Sequence, residues 1–151
     1  MMQQSRRDFL KKAAISTAGL TLTGVNIQAQ SARNTSGANE RVRVAVVGLN
    51  GRGGALARSI VQSKLGEVAY VCDVDNRVIE NRVKMVQDLQ GKKPNGVIDF
   101  RRALDDNSVD AVAIATPDHW HTPAGIMALK AGKHVYVEKP YSNNPYEAKL
   151  F

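Results

Sequence analysis

The sequence predicts an α/β protein built on a doubly wound parallel sheet, and three observations carry this prediction. From Arg41 onward, apolar runs of strand length alternate with segments in which apolar residues recur at helical spacing. The first run, residues 42–47, is entirely apolar after Arg43, as expected for a strand that is buried on both faces of its sheet. A glycine-rich turn follows that run, and polar clusters follow two later runs. In open parallel sheets, ligands bind just outside the carboxyl ends of the strands.

The order of the elements follows from local spacing and from capping residues. Asp75 is suited to cap the second helix, and Gly91 is suited to end it. Asn144, followed by Pro145 and then Glu147, marks the start of a last helix. Strands are predicted over residues 42–47, 67–72, 97–100, 109–115 and 134–137, and helices over residues 55–64, 76–90, 101–106 and 123–131.

Length and composition indicate one globular domain. The chain has 151 residues, of which 43% are hydrophobic. Its formal net charge of +7 is not gathered in a basic stripe interleaved with aromatic residues, so no nucleic-acid partner is expected. Cys72 is the only cysteine and lies in a predicted buried strand, where we expect it to pack as a small apolar residue.

The N-terminal segment has a different character. Arg6 and Arg7 precede an uncharged run rich in Ala, Thr and Gly at residues 13–27, which is too short and too polar for a stable membrane span. The pattern resembles a twin-arginine (Tat) export signal over residues 1–29, which implies a periplasmic protein that is exported already folded. Residues 30–40, rich in Ser, Asn, Gly and Ala, are predicted to be a linker. The alternative is an ordinary amphipathic N-terminal helix.

The turn after the first strand is similar to the dinucleotide fingerprint G-x-G-x-x-G of Rossmann-like domains. Gly48 and Gly53 match the first and third glycines, and Asn50 stands at the second, followed by Gly51. Asn tolerates unusual backbone angles, and Gly51 is expected to allow the close approach of a pyrophosphate to the helix N-terminus. Arg52 is expected either to flank the phosphates or to be solvated. The alternative is a loop selected only for a tight turn.

Asp73, at the end of the second strand, is the candidate for the adenosine ribose. It lies twenty residues after Gly53, where a carboxylate binds the ribose hydroxyls of a dinucleotide. Because a carboxylate repels a 2′-phosphate, NAD is favoured over NADP, although Arg77 lies close enough in sequence to weaken this preference. The alternative for Asp73 is a helix-capping role shared with Asp75.

Two further motifs complete a family pattern. Thr-Pro-Asp-His-Trp-His, residues 116–121, follows the fourth predicted strand, and Glu-Lys-Pro, residues 138–140, follows the fifth. With the glycine-rich turn and Asp73, the chain closely resembles the glucose–fructose oxidoreductase/inositol dehydrogenase (Gfo/Idh/MocA) family over residues 41–151. The family's C-terminal domain, which carries most substrate contacts and dimerisation, is absent from this chain. We therefore expect a C-terminally truncated protein whose full-length form is a homo-oligomer.

The resemblance implies specific roles for residues in these motifs. Thr116 and Pro117 would line the cofactor near the nicotinamide, and Glu138 would lie near the nicotinamide ribose. His121 would lie beside the dinucleotide and belong to the catalytic machinery. The alternative for His121 is a structural histidine. His119 and His121 alone do not make a metal site, because no Cys or carboxylate set completes one, and no metal is assigned.

The resemblance also implies that Lys139 faces the reacting hydroxyl and that its bond to Pro140 is cis. Oxidising a secondary alcohol requires a group that takes the hydroxyl proton, and a lysine can do so when burial or neighbouring positive charge favours its neutral form. The alternative for Lys139 is a solvated lysine at the end of a strand.

The predicted function is NAD-dependent hydride transfer at a secondary hydroxyl of a sugar, cyclitol or glycoside. One alternative is an NAD-dependent glycosidase that oxidises its sugar transiently. In the glycosidases that resemble this family, however, the motif after the fifth strand typically departs from Glu-Lys-Pro. The other alternative is a non-catalytic dinucleotide-binding fragment. This chain alone is expected to lack turnover.

Overall fold

The computed structural model describes residues 41–151. The predicted export signal, with its uncharged run at residues 13–27, and the predicted linker lie outside the described residues. Within the described residues, no helix is long and apolar enough to cross a membrane. These residues form a five-stranded sheet with helices packed on both faces.

All five strands are parallel, in the order β3-β2-β1-β4-β5. The chain builds outward from β1 to β3, and then returns across β1 to add β4 and β5. This reversal confirms the predicted doubly wound class, and it opens a crevice at the carboxyl ends of β1 and β4. The strands are β1 Val42–Val47, β2 Gly66–Cys72, β3 Asn95–Val97, β4 Ala111–Ile114 and β5 His134–Val137.

The helices connect the strands and carry the expected caps. Asp75 accepts a hydrogen bond from the Arg77 amide at the start of α2, and Gly91 ends α2 with φ of 75°. Asn144 accepts from the Glu147 amide at the start of α5. The helices are α1 Gly51–Gln62, α2 Asn76–Gln90, α3 Arg101–Leu104, α4 His121–Lys130 and α5 Pro145–Leu150, with a 3₁₀ turn over Asp118–Trp120 before α4.

A separate apolar layer covers each face of the sheet. The layer beneath α1 and α2 includes Val44 and Val46 of β1, and the layer beneath α3 and α4 includes Ala45 and Val47. These four residues are all buried, as expected for a central strand that is covered on both faces. Cys72 is buried in the α3/α4 layer, and burial raises the pKa of its thiol to about 12, so it packs as an apolar residue.

Two helices begin earlier than the sequence predicts. α1 starts at Gly51 instead of residue 55, because the Gly53 and Gly54 amides already donate to the Asn50 carbonyl. α4 starts at His121 instead of residue 123. Pro123 is tolerated there because the first turn of a helix does not need its N–H groups.

The third strand is displaced by two residues, to Asn95–Val97 from the predicted residues 97–100. Its register is set by pairing with Tyr70–Cys72, and the Asp73 amide ends the ladder by donating to the Val97 carbonyl. The chain then bends at Ile98. β4 is shorter than predicted for a similar reason, since its pairing with β1 begins only at Ala111.

Candidate nucleotide site

The predicted site residues gather at one edge of the sheet. Because the strands are parallel, their carboxyl ends meet there: Gly48 follows β1, Asp73 follows β2, Thr116 comes shortly after β4, and Glu138 follows β5. We call residues 48–53 the phosphate loop.

The N-terminus of α1 is open to an anion. Asn50 occupies the capping position without a side-chain hydrogen bond, and no acidic residue lies in the first turn. A helix start of this kind presents free backbone N–H groups and the positive end of the helix dipole. Nothing lies within 4 Å of the Cβ that could be added at Gly51. The arrangement therefore fits the pyrophosphate of a dinucleotide.

The other two glycines are required by close packing. A Cβ on Gly48 would lie 2.7 Å from the Thr116 backbone nitrogen, and one on Gly53 would collide with the Gly48 carbonyl oxygen. Gly48 also has φ of 81°, and Gly51 has φ of 27°. Asn50, by contrast, has an ordinary extended backbone, with φ of −69° and ψ of 166°. The tolerance of Asn for unusual backbone angles is therefore not used at Asn50, because Gly51 takes the positive φ instead.

Asp73 is a half-buried anchor of the phosphate loop. One carboxylate oxygen accepts from the Leu49 amide at 2.7 Å, and the other accepts from the Asp75 amide at 3.1 Å. The side chain thus joins β2 to the loop and to the turn before α2, whereas the cap of α2 is Asp75 alone. The proposed contact of Asp73 with a ribose remains a prediction.

A cavity of about 680 Å³ opens beside Asp73. Its wall includes Gly48, Thr116 and Pro117, and Trp120 contributes a half-exposed ring. The Thr116 hydroxyl oxygen is buried and has no hydrogen-bond partner among residues 41–151. An orphaned polar atom beside an apolar cavity fits a ligand that supplies the missing hydrogen bond.

Arg52 of the phosphate loop forms an ion pair with Glu138, which follows β5. Its Nε donates to Oε1 of Glu138 at 2.5 Å, and the Tyr136 hydroxyl donates to the same oxygen at 2.9 Å. Hydrogen bonds from Arg52 and Tyr136 hold the pKa of Glu138 below its usual value, and the bond to Glu138 raises the pKa of Arg52. The Arg52 side chain is 62% exposed and that of Glu138 is 13% exposed. This ion pair joins the phosphate loop to the end of β5.

His121 lies behind the site rather than in the cavity. The ring is 2% exposed, with Nδ1 2.6 Å from the Pro140 carbonyl oxygen and Nε2 2.8 Å from the Thr116 carbonyl oxygen. The Thr122 hydroxyl donates to the Tyr141 carbonyl at 3.1 Å. Both ring nitrogens face acceptors, so the ring ties the chain after β4 to the chain after β5. This placement differs from the predicted catalytic role, because neither nitrogen is open to a reacting group.

Lys139 lies at the exposed end of β5. Its bond to Pro140 is cis, as the resemblance implies. The side chain is exposed and makes no hydrogen bond or ion pair with other residues of the described range 41–151. The Lys139 side chain is therefore accessible to a substrate bound above the sheet edge. We call residues 138–141 the lysine segment.

The sequence reasoning missed one residue of the site, Arg82. From α2, its Nε donates to the Leu49 carbonyl at 2.9 Å, and its guanidinium lies against Gly54. No motif marks it, because it is a single arginine beside the apolar face of a helix. Only the packing of α2 against α1 brings it to the loop. Among residues 41–151, no group of three or more His, Cys, Asp and Glu side chains is close enough to hold a metal.

The chain is similar to known proteins over most of the described range. A sequence profile of the family described as "Oxidoreductase family, NAD-binding Rossmann fold" (GFO_IDH_MocA) matches residues 42–150. A glycosyl hydrolase family 109 protein from Saccharopolyspora erythraea is 32% identical over 90% of this chain and 33% of its own length.

Solved structures extend the similarity to the fold. Myo-inositol dehydrogenase from Lactobacillus casei, in complex with NAD(H) and myo-inositol, matches with a TM-score of 0.67 and 26% identity over 74% of this chain and 32% of its own. Levoglucosan dehydrogenase in complex with NADH matches with a TM-score of 0.63 and 25% identity over 73% of this chain and 30% of its own. The chain spans about a third of the length of these proteins.

Proposed function

The chain belongs to the Gfo/Idh/MocA oxidoreductase family and is its NAD-binding Rossmann domain, and from this premise we propose that the full-length protein oxidises or reduces a secondary hydroxyl of a sugar or cyclitol. The cofactor is NAD, as in the dehydrogenase structures that the domain matches. The substrate class is carried by the myo-inositol and levoglucosan dehydrogenases among those structures.

The observation that carries the proposal is the ion pair between Arg52 and Glu138. Arg52 belongs to the phosphate loop, and Glu138 directly precedes Lys139. The pair therefore links the segment that holds a candidate proton-transfer lysine to the dinucleotide loop at the same sheet edge. A phosphate loop without a nearby acid–base group would support binding alone.

The residues of the site have separable tasks in this reaction. NAD, when bound, supplies the hydride acceptor or donor. The phosphate loop holds the pyrophosphate, and Thr116 offers its unpaired hydroxyl to the cofactor. Nζ of Lys139 takes the hydroxyl proton during oxidation and returns it during reduction. His121 holds the lysine segment in place behind the reacting groups.

The charge around Asp73 supports NAD over NADP. Two arginines close to Asp73 in sequence or in the cavity wall are already paired: Arg77 with Asp75 at 2.8 Å and Arg101 with Asp99 at 2.7 Å. A 2′-phosphate at this place would meet the Asp73 carboxylate, while Arg77 and Arg101 are held by their own acidic partners.

The second candidate is a glycosidase that oxidises and then reduces its sugar with retained NAD. The observation that favours it is the 32% identity to a family 109 glycosyl hydrolase. The intact Glu-Lys-Pro sequence at residues 138–140 favours the dehydrogenase.

One experiment separates the two candidates and tests the proposal. The full-length protein is incubated with NAD and a panel of free sugars, cyclitols and aryl glycosides, while NADH formation and aglycone release are followed together. The dehydrogenase produces one NADH for each hydroxyl oxidised and releases no aglycone. Aglycone release without net NADH would establish the glycosidase instead. Tight NAD binding without either product across the panel would support a binding module and contradict both enzymes.

Two properties of the whole protein complete the proposal: Tat-dependent export to the periplasm, and self-association through the family's C-terminal domain. The support for export is the Arg6-Arg7 pair and the uncharged run that follows it. Fractionation of cells that express the protein with both arginines replaced by lysine tests export, because a Tat substrate is then retained in the cytoplasm. Unchanged periplasmic accumulation would contradict it, and sedimentation of the full-length protein tests self-association.

A further inference from the structure

Two arginines lie at the phosphate loop, and they differ in what they contact. Arg52 belongs to the loop, is largely exposed and is neutralised by Glu138. Arg82 comes from α2, is half-buried, and has no carboxylate within ion-pair distance among residues 41–151. Sequence position alone favours Arg52 as the phosphate ligand. The contacts favour Arg82 as the arginine that matters more for dinucleotide binding.

Arg82 and Asp73 hold the two peptide groups on either side of Leu49. The Leu49 carbonyl accepts from Arg82 Nε at 2.9 Å, and the Leu49 amide donates to Asp73 Oδ2 at 2.7 Å. The Leu49 side chain is fully buried. The orientation of Leu49 is therefore determined at its amide, its carbonyl and its side chain. It directly precedes Asn50 and Gly51, where α1 begins, so it sets the direction of the backbone N–H groups that face an anion.

The charge of Arg82 reinforces this geometry. Its guanidinium lies against Gly54 in the first turn of α1. An unpaired, half-buried cation beside a helix N-terminus adds to the positive potential that the helix dipole provides there. Exposed arginines with an acidic partner contribute much less, because water and the partner screen their charge.

We propose that Arg82 is the positioning residue of the pyrophosphate site, and that Arg52 contributes little to dinucleotide affinity. This inference rests on NAD binding by the domain and deepens it by identifying which cation the phosphate loop depends on. Arg82 shapes the loop through the Leu49 carbonyl, whereas Arg52 serves the link to the lysine segment.

The test compares Arg82→Met with Arg52→Met, and with Arg58→Met as an exposed control on the same α1. Binding of NAD and of ADP-ribose, which keeps the pyrophosphate but lacks nicotinamide, is measured by calorimetry. Arg82→Met is expected to weaken both ligands about tenfold, since a charge-assisted hydrogen bond is lost. Arg52→Met and Arg58→Met are expected to change the affinity less than about threefold. Equal losses for Arg82→Met and Arg52→Met would overturn the proposal.

A purely structural role is excluded by a ligand without phosphate. The dissociation constant of adenosine, obtained from competition against ADP-ribose and corrected for the affinity of ADP-ribose in each variant, is expected to be unchanged in Arg82→Met. A tenfold loss for adenosine as well would overturn the proposal. If Arg82→Met does not fold, the Arg82 Nε–H signal of the unsubstituted protein is followed by NMR instead. It is expected to shift with ADP-ribose and not with adenosine, and an unmoved signal would overturn the proposal. Failure of the unsubstituted protein to bind ADP-ribose would remove the dinucleotide site itself.

Discussion

The phosphate loop and the lysine segment form two parts of one site, but different kinds of contact hold them. The phosphate loop is determined by backbone approach, since Gly48 and Gly53 leave no room for a Cβ. The lysine segment is held by single hydrogen bonds from distant side chains, His121 to Pro140 and Thr122 to Tyr141. The first part is therefore sensitive to volume, and the second is sensitive to the loss of individual polar groups.

The difference indicates how binding and chemistry are divided in this domain. The loop is encoded within six consecutive residues beside a buried strand. The lysine segment follows β5, a strand at the edge of the sheet whose side chains are half-buried or exposed, Tyr136 being 49% exposed. Changes in the loop should act on folding and on cofactor binding. Changes in the lysine segment should act on turnover with less effect on the cofactor.

The sharpest separation is expected from Lys139→Met in the full-length protein. Loss of the proton-transfer group should lower turnover by about 10²–10⁴-fold while leaving the dissociation constant of NAD unchanged. Steady-state kinetics and calorimetry check both halves of this expectation, with Lys130→Met, an exposed lysine at the end of α4, as the control. Turnover equal to that of the control would exclude Lys139 as the acid–base group.

The next largest effect is expected from Gly53→Ala. The added Cβ collides with the Gly48 carbonyl, and neither backbone can move without disturbing the contact of Gly48 with Thr116. We expect a loss of about 3 kcal/mol in the free energy of unfolding, measured by urea denaturation, together with loss of NAD binding. Gly51→Ala, which meets no atom, should cost only about 1 kcal/mol for its backbone angle. Equal costs would show that packing does not shape the loop.

His121→Leu tests whether the ring is a structural tie. It leaves a buried carbonyl, of Thr116 or Pro140, without the ring N–H that it accepts from, which should cost about 2 kcal/mol of stability. Thr122→Val removes one hydrogen bond to the same segment and should cost about 1 kcal/mol. Full stability of His121→Leu, with turnover abolished, would restore a direct catalytic role for the ring.

Asp73→Asn should change cofactor preference more than loop geometry. The amide oxygen can still accept from the Leu49 amide, but the negative charge that repels a 2′-phosphate is gone. The ratio of NAD to NADP affinity is expected to fall about tenfold, while Asp88→Asn on the exposed face of α2 leaves it unchanged. A constant ratio would limit Asp73 to its role as a loop anchor.

The smallest effect is expected from the ion pair between Arg52 and Glu138. In the folded state the pKa of Glu138 lies below the usual 4.5 of a glutamate. The pair therefore stabilises the fold above pH 4.5, and its effect is lost as pH falls through the lowered pKa. Thermal midpoints of the unsubstituted protein and of Glu138→Gln should therefore differ slightly at neutral pH and converge in acid. A difference that persists unchanged at the lowest pH would contradict this linkage.

Much of the fold could be predicted from local patterns. The strand β5, the caps at Asp75 and Asn144, and the end of α2 at Gly91 occur where the sequence places them. The start of α1 and the position of β3 were predicted wrongly. Glycines discourage a helix in isolation, and the register of β3 depends on Tyr70–Cys72, more than twenty residues earlier.

The sequence by itself determined the order of elements, the glycine loop, and the residues at the carboxyl end of each strand, because hydrophobic period and turn chemistry act between near neighbours. Only the tertiary structure decided what those side chains contact. It turned His121 inward to two carbonyls, paired Arg52 with Glu138, and brought Arg82 beneath the phosphate loop. Apart from the His121–Thr116 contact, five positions apart, these contacts join residues from 19 to 86 positions apart, and such pairings follow from how helices pack on the sheet rather than from any local pattern.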